Sequence, residues 1–184
     1  MKFTFYSDYH LFTPIALPND LPIDAMEISK QNVYLLGDIF DRKGCNKKDE
    51  LNFKIQFSNA RNLFGTRYIN GNHELQEFNQ FIKVGKILIT HGHCICWSEE
   101  KRSLFLNSEP FSGFGIFKRS IDCMRHVWKQ SINNFEVEQA TKYCKQSDCD
   151  TIVYGHSHTN KLLIKKVNGI TIYNVPRGKT VLDL

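Results

Sequence analysis

The sequence has no apolar run near the roughly 18–20 residues that a membrane-spanning helix needs, so none of its 184 residues reads as a transmembrane segment. Its start, Met1-Lys2-Phe3-Thr4-Phe5-Tyr6, does not read as a secretory signal, because the apolar stretch is short and Asp8 interrupts it. It has no internal repeat and no low-complexity tract, which sets aside repeat architectures and linker-rich chains. Proline is scarce, and three of the five (Pro14, Pro18, Pro22) crowd into residues 11–22, which read as a loop. The six cysteines (Cys45, Cys94, Cys96, Cys123, Cys144, Cys149) are not spaced like a disulfide scaffold. Without an export signal they imply a reducing, cytoplasmic compartment. A strong charge excess is also missing. A net +5 is compatible with an anionic substrate but does not by itself argue for nucleic acid. With 41% hydrophobic and 23% charged residues, the composition is that of a soluble globular protein, expected as a single domain over residues 1–184 with a real core.

Against this background one run stands out: Leu35-Leu36-Gly37-Asp38-Ile39-Phe40-Asp41-Arg42. An apolar strand beginning at Val33 stops at a glycine, and a carboxylate follows. That places Asp38 at the carboxyl edge of a sheet, where open α/β folds put their ligands. Four other stretches repeat the arrangement after short apolar runs: Ser7-Asp8-Tyr9-His10, Gly71-Asn72-His73-Glu74, Thr90-His91-Gly92-His93 and Gly155-His156-Ser157-His158. Asp8 and His10 lie two apart, as do His156 and His158, so on an extended chain each pair projects to one side.

The rest of the chain reads as alternating strands and helices. Residues 2–7 alternate as a first strand. Residues 23–30 read as a short helix. Residues 48–64 read as a helix with Leu51, Ile55, Asn59 or Ala60, and Leu63 at helical spacing and Gly65 as its stop. Thr66–Ile69 reads as a strand, and 80–84 with 86–90 as a hairpin hinged at Gly85. After the segment 97–147 come strands at 151–154, 161–167, 170–175 and 179–183, with Asn168-Gly169 as a hairpin turn. Strand alternation would put the Cys94 and Cys96 thiols on one face. They read as small buried hydrophobes rather than a zinc site.

Asp, Asn and neutral imidazole suit divalent metals of intermediate hardness. Asp8, His10, Asp38, Asn72, His91, His156 and His158 are too many for one ion with an open position, and they suit two. A carboxylate is the best bridge, so Asp38 is expected to join the ions. Two cations supply hydroxide near neutral pH and neutralise phosphate oxygens, which makes in-line attack on phosphorus the natural reaction. His73 stands one residue beyond Asn72, with an intrinsic pKa suited to protonating a leaving alkoxide. Glu74 or another carboxylate would hold its tautomer. Arg42 offers a fork of donors to a phosphate oxygen. His93 reads as a substrate contact or a packing partner, and Asp41 as a structural partner rather than a ligand.

The order Asp-x-His, Gly-Asp-x-x-Asp, Gly-Asn-His-Glu, His-Gly-His, Gly-His-x-His, spread from residue 8 to residue 158, resembles the calcineurin-like metallophosphoesterase superfamily. The resemblance implies an α/β fold, a four-layer αββα sandwich of two mixed β-sheets flanked by helices. It implies that Asp8, His10, Asp38 and His158 hold one divalent ion and that Asp38, Asn72, His91 and His156 hold the other, with His73 as the catalytic histidine. It implies manganese most often, with iron, zinc, nickel or cobalt in some members. Ser7-Asp8-Tyr9-His10-Leu11 is similar to the start of the small bacterial phosphodiesterases, the lipid pyrophosphohydrolases and DNA-repair nucleases. Leu11 departs from the glycine usual in protein phosphatases, whereas Gly37–Arg42 and Gly71–Glu74 are similar to theirs. His73 stands where the lipid enzymes usually have Arg.

The expectation is a metal-dependent phosphoesterase acting on a phosphodiester. Its rivals are a phosphomonoesterase or protein phosphatase, a lipid-linked diphosphate pyrophosphohydrolase, and a non-catalytic scaffold of the same fold. The substrate would be a phosphorylated small molecule, nucleotide or lipid, with nucleic acid also open. Residues 97–147 are expected as a helical insertion capping the site. Phe114, Phe117, Ile121, Met124, Trp128 and Ile132 step along one helical face. Between 97 and 132 basic residues outnumber acidic ones six to four, so Arg125 and Lys129 read as part of a basic rim.

Overall fold

The computed structural model describes residues 1–11, 30–41, 50–74, 81–101, 103 and 129–184. The loop expected at 11–22, the helix at 23–30, Arg42 and the apolar stripe from Phe114 to Trp128 lie outside the described residues, Leu11 and Lys30 excepted. So do Arg125 and two of the cysteines, Cys45 and Cys123.

Strand alternation decides how the layers stack, because successive side chains leave opposite faces of a sheet. In β1 (Lys2–Ser7), Phe3 and Phe5 are buried on one face and Tyr6 on the other. In β2 (Val33–Leu35), Tyr34 joins the phenylalanines, while Val33 and Leu35 join Tyr6. The same division holds in β4 (Ile87–Thr90), where Ile89 faces one cluster and Leu88 another. It holds again in β5 (Thr151–Tyr154), where Val153 faces one way and Ile152 and Tyr154 the other. Each of these strands is therefore covered on both faces.

Two mixed sheets result. The first has the order β2-β1-β8, where β8 is Gly178–Asp183; β1 runs parallel to β2 and antiparallel to β8. The second has the order β3-β4-β5-β7-β6, with β3 at Phe81–Val84, β6 at Leu163–Val167 and β7 at Ile170–Asn174. Its inner strands β4, β5 and β7 are parallel, and the edge strands β3 and β6 are antiparallel to their neighbours. Phe3, Phe5, Tyr34, Leu36 and Ile69 meet Ile89, Val153 and Val175 to form the core between the sheets. Outside the first sheet lies α1 (Glu50–Phe64). Outside the second lie α2 (His93–Cys96) and α3 (Asn134–Gln146), whose Ala140 and Cys144 pack on Leu88, Ile152 and Tyr154. The layers are α, β, β, α, as the resemblance implies. None of the described helices is long and apolar enough to cross a membrane.

Three local expectations are corrected. The buried face of α1 is Phe53, Phe57, Ala60 and Phe64, whereas Leu51, Ile55 and Leu63 are exposed. Both sets have helical spacing, and the larger aromatic area is the one removed from water. The strand expected at Thr66–Ile69 is a 3-10 turn, Gly65–Arg67, followed by a single bridge between Leu35 and Tyr68. Gly65 has φ +51°, and the Tyr68 amide bonds back to its carbonyl at 3.2 Å instead of extending a ladder. Cys94 and Cys96 sit on α2, not on a strand, because Gly92 (φ +112°) turns the chain and its carbonyl accepts the amides of Ile95 and Cys96 at 2.8 and 2.9 Å. The Asn168-Gly169 turn is as expected, with both residues at positive φ.

The corrected helix face carries a direct test. Phe57→Ala should lower unfolding free energy in urea by about 3–5 kcal/mol, and Ile55→Ala should change it by about 0.5 kcal/mol or less. Equal losses at the two positions would mean that α1 packs through both faces.

Candidate metal centre

Among the described residues, seven other than glycine have positive φ, and five of them are Asp8, His10, Asp38, His156 and His158, at +57°, +52°, +48°, +65° and +48°. A left-handed backbone costs an L-residue roughly 1–2 kcal/mol, and such strain collects where side chains must be aimed. The pairs Asp8/His10 and His156/His158 therefore do not share a side through extended-strand alternation. β1 ends at Ser7 and β5 at Tyr154, and the left-handed residues beyond them turn the side chains inward.

Backbone bonds zip the loops together at the carboxyl ends of the strands. Within the first sheet, the Asp8 and His10 amides donate to the carbonyls of Gly37 and Asp38 at 3.1 and 2.8 Å. Within the second, the Gly155 amide donates to His91 O at 2.9 Å. Across the sheets, the His156 amide donates to Asp8 Oδ2 at 3.0 Å, and His91 Nδ1 bonds Leu36 O at 2.7 Å. Glycine is required at two of these approaches. A Cβ on Gly71 would fall on Asp38 Oδ1, and one on Gly155 would fall on Ser7 Oγ.

Seven side chains expected as ligands converge as a result. Asp8, His10 and His158 form one cluster and Asp38, His91 and His156 another, while a third group, His10, Asp38 and His73, spans the gap; each keeps its donor atoms within 4.8 Å of one another. Asn72 Oδ1 lies 3.1 Å from His91 Nε2. Asp38 Oδ2 is 3.3 Å from His91 Nε2 and 3.9 Å from His10 Nε2, so its carboxylate lies between the two sets.

The donor chemistry fits cations. His10 Nε2 faces His158 Nε2 at 3.0 Å, and His156 Nδ1 faces His91 Nε2 at 3.0 Å. Two imidazole nitrogens can point at each other only if one carries a proton or both face a positive charge. Donors sharing an ion at roughly 2.1 Å stand about 3.0–3.4 Å apart. The Leu36 carbonyl takes the Nδ1 proton of His91 and leaves its Nε2 as the inward lone pair. The electrostatics agree. Burial opposes charge on His91, but Asp38 lifts its pKa to about 9. Burial likewise opposes charge on Asp8, yet His158 brings it down to about 2. Burial lowers His10 to about 4 against the pull of Asp41.

At the edge of the clusters His73 is 13% exposed at its side chain, and its Nδ1 lies 2.8 Å from Asp41 Oδ2. The same carboxylate oxygen is 3.3 Å from His10 Nδ1. Asp41, not Glu74, is thus the group that orients His73.

A family model described as calcineurin-like phosphoesterase matches residues 1–160. The chain belongs to that family. Calcineurin-like phosphoesterases bind divalent metals, and the paired clusters are placed accordingly. Similar solved structures include Vacuolar Protein Sorting 29 from Cryptosporidium parvum, with 15% identity over 96% of this chain and 74% of that one and a TM-score of 0.45. A single mutant of Vps29 from Entamoeba histolytica shows 18% identity over 100% and 86%, with a TM-score of 0.43. A conserved uncharacterized protein and predicted phosphoesterase from Streptococcus pneumoniae TIGR4 shows 15% identity over 100% and 84%, with a TM-score of 0.41. Likenesses this distant say nothing of activity. No curated protein is matched.

Other expected residues are placed as follows. His93 is buried, its ring 5.7 Å from that of His91 and 6.4 Å from that of His156. Arg42 lies outside the described residues. Cys94 and Cys96 join none of the metal-competent clusters among the described residues. One contributor escapes the sequence reading. Arg177 donates from Nε to the Asp8 carbonyl at 3.0 Å. It follows β7 between Pro176 and Gly178, a strand-end signal like those that mark the ligands. Trp97 sets its ring edge-on to His156 at 4.5 Å.

Glu74 staples two loops of the chain. Its Oε1 accepts the amides of Ile39 and Phe40 at 2.9 and 3.0 Å and the Tyr68 hydroxyl, and its Oε2 accepts the Gly71 amide at 2.9 Å. Burial and Asp38 push its pKa up to about 7 against these bonds. Glu74→Gln keeps one oxygen and turns an amide N–H₂ toward Gly71. The stranded donor should cost about 1–3 kcal/mol in urea unfolding. Unaltered stability would show that the staple is not needed to join the loops.

Proposed function

We propose that this chain is a dinuclear-metal phosphoesterase that hydrolyses a phosphodiester, folded as one domain over residues 1–184 with a helical insertion at 97–147. The observation that carries the reading is the paired donor set. Asp8, His10 and His158 lie on one side of Asp38, and Asn72, His91 and His156 on the other, with the Asp41–His73 pair beside them. Asp8, His10, Asp38 and His158 would hold one ion, and Asp38, Asn72, His91 and His156 the second. Manganese is the proposed metal, as the family resemblance implies, with iron, zinc, nickel or cobalt as the alternatives. When bound, the two ions supply an attacking hydroxide near neutral pH and neutralise phosphate oxygens.

The chain's own groups do the rest. Asp38 bridges the two halves, and its Oδ1 accepts the His73 amide at 2.8 Å, which ties the proton donor to the centre. Asp41 takes the Nδ1 side of His73, so Nε2 is the nitrogen presented outward with a proton for the departing alkoxide. His93 and Arg42 are the groups proposed to steady phosphate oxygens. The substrate class is a phosphorylated small molecule, nucleotide or lipid, and nucleic acid is a further member of it. Cys94, Cys96, Cys144 and Cys149 carry no disulfide, which suits a cytoplasmic setting.

Purified protein with manganese should show a higher kcat/KM for bis-nitrophenyl phosphate than for the mono-ester. A preference for the mono-ester would replace phosphodiesterase by phosphomonoesterase. His73→Ala should lower turnover of an alkyl diester by about 10²–10⁴-fold and should do much less to an ester whose leaving nitrophenolate needs no proton. A uniform loss across leaving groups would make His73 a binding residue and not an acid.

A further inference from the structure

A second polar cluster lies behind the ligand loop and plays no part in the chemistry above. Ser157, 1% exposed, stands between His156 and His158, both left-handed. Its hydroxyl oxygen accepts from Asn174 Nδ2 at 2.8 Å and from Lys129 Nζ at 3.1 Å. Those two bonds use both lone pairs of the hydroxyl. Its proton is left for Cys96 Sγ, 3.4 Å away, and the Cys96 thiol in turn donates to Glu136 Oε1 at 3.2 Å. Burial and Glu136 hold the thiol well above its usual pKa, so it remains a donor. Glu136, 2% exposed, closes the circuit by pairing with Lys129 through the same oxygen.

The other oxygen of Glu136 belongs to the helix. Oε2 accepts the Asn133 amide at 3.0 Å, and Asn133 Oδ1 accepts the Glu136 amide at 2.9 Å, a capping box that starts α3. One carboxylate therefore fixes the start of α3 and the side chain in the middle of the ligand loop. Lys129, expected on a basic rim, is only 14% exposed at its side chain and is turned inward. A part-buried lysine beside a buried glutamate needs its donors engaged, and here Lys129 bonds both Glu136 and Ser157.

We propose that Lys129, Glu136 and Ser157 form a positioning network. By holding the Ser157 side chain they keep His156 and His158 in their left-handed turn, and so set how tightly the centre takes divalent ions. The inference rests on the metal-binding reading above for its second half, and on backbone geometry alone for its first.

The test uses the full chain and manganese alone, titrated by calorimetry. Ser157→Ala and Glu136→Gln should weaken manganese binding about 10–100-fold, as loss of an outer hydrogen-bond partner does. Metal-free Tm should stay within about 4 °C, because glutamine can still serve the capping box. Lys129→Arg should restore most of the affinity that Lys129→Met loses. Wild-type affinity in both Ser157→Ala and Glu136→Gln would overturn the proposal, and so would a loss that merely follows a falling Tm. If the wild type takes up no manganese, the phosphoesterase reading fails. The network is then judged by amide exchange in the metal-free protein: faster exchange at His156 and Ser157 in Ser157→Ala supports it, and unchanged exchange refutes it.

Discussion

The bond from the His156 amide to Asp8 Oδ2 is the constraint on which the site depends. It joins the carboxyl edge of one sheet to that of the other, so two layers packed through Phe3, Phe5, Ile89 and Val153 also meet at their ends. The meeting works only because the residues beyond the strands turn left-handed. Those turns are costly for residues with a Cβ, and they persist because surrounding bonds over-determine them. Asp8 is fixed by Ser7, by the Gly37 carbonyl and by His156; Asp38 is fixed by the His73 amide and by the absence of a side chain on Gly71. Position and charge are therefore set by the chain's own bonds, which is the usual requirement for a precise metal site.

The strand ends were legible in the sequence because each combines an apolar run with a glycine or polar stop and a metal-competent side chain. Five such stretches in order point to one chemistry where any one of them alone would not. The layer order was legible only through the family resemblance, since periodicity does not say which sheet a strand joins. What escaped has physical reasons. Helix α1 carries two stripes at helical spacing, Leu51/Ile55/Leu63 and Phe53/Phe57/Ala60/Phe64, and only packing decides between them. Thr66–Ile69 has the composition of a strand, but Gly65 diverts it into a 3-10 turn. Left-handed geometry at histidine leaves no mark in sequence, so the pairs at 8/10 and 156/158 were assigned to one site by an extended spacing that the backbone does not have.

The division of labour among acidic residues was also hidden. Glu74 and Asp41 both stand beside expected site residues, and either could orient His73. Glu74 turns away to bind three amides and a tyrosine hydroxyl, while Asp41 stands between His10 and His73. Glu136 shows the same economy at longer range, sharing its two oxygens between a helix start and the Cys96 and Lys129 side chains that touch Ser157. Such roles depend on which donors the fold brings within reach, and Glu74 takes the amides of Ile39 and Phe40 from 35 and 34 residues away.

Anomalous diffraction at the manganese edge, from crystals of the full chain grown with manganese, tests the central claim most directly. Two peaks are expected roughly 3.5–4 Å apart, one among Asp8, His10 and His158, the other among Asn72, His91 and His156, with the Asp38 carboxylate between them. A single peak, or none, would contradict the claim.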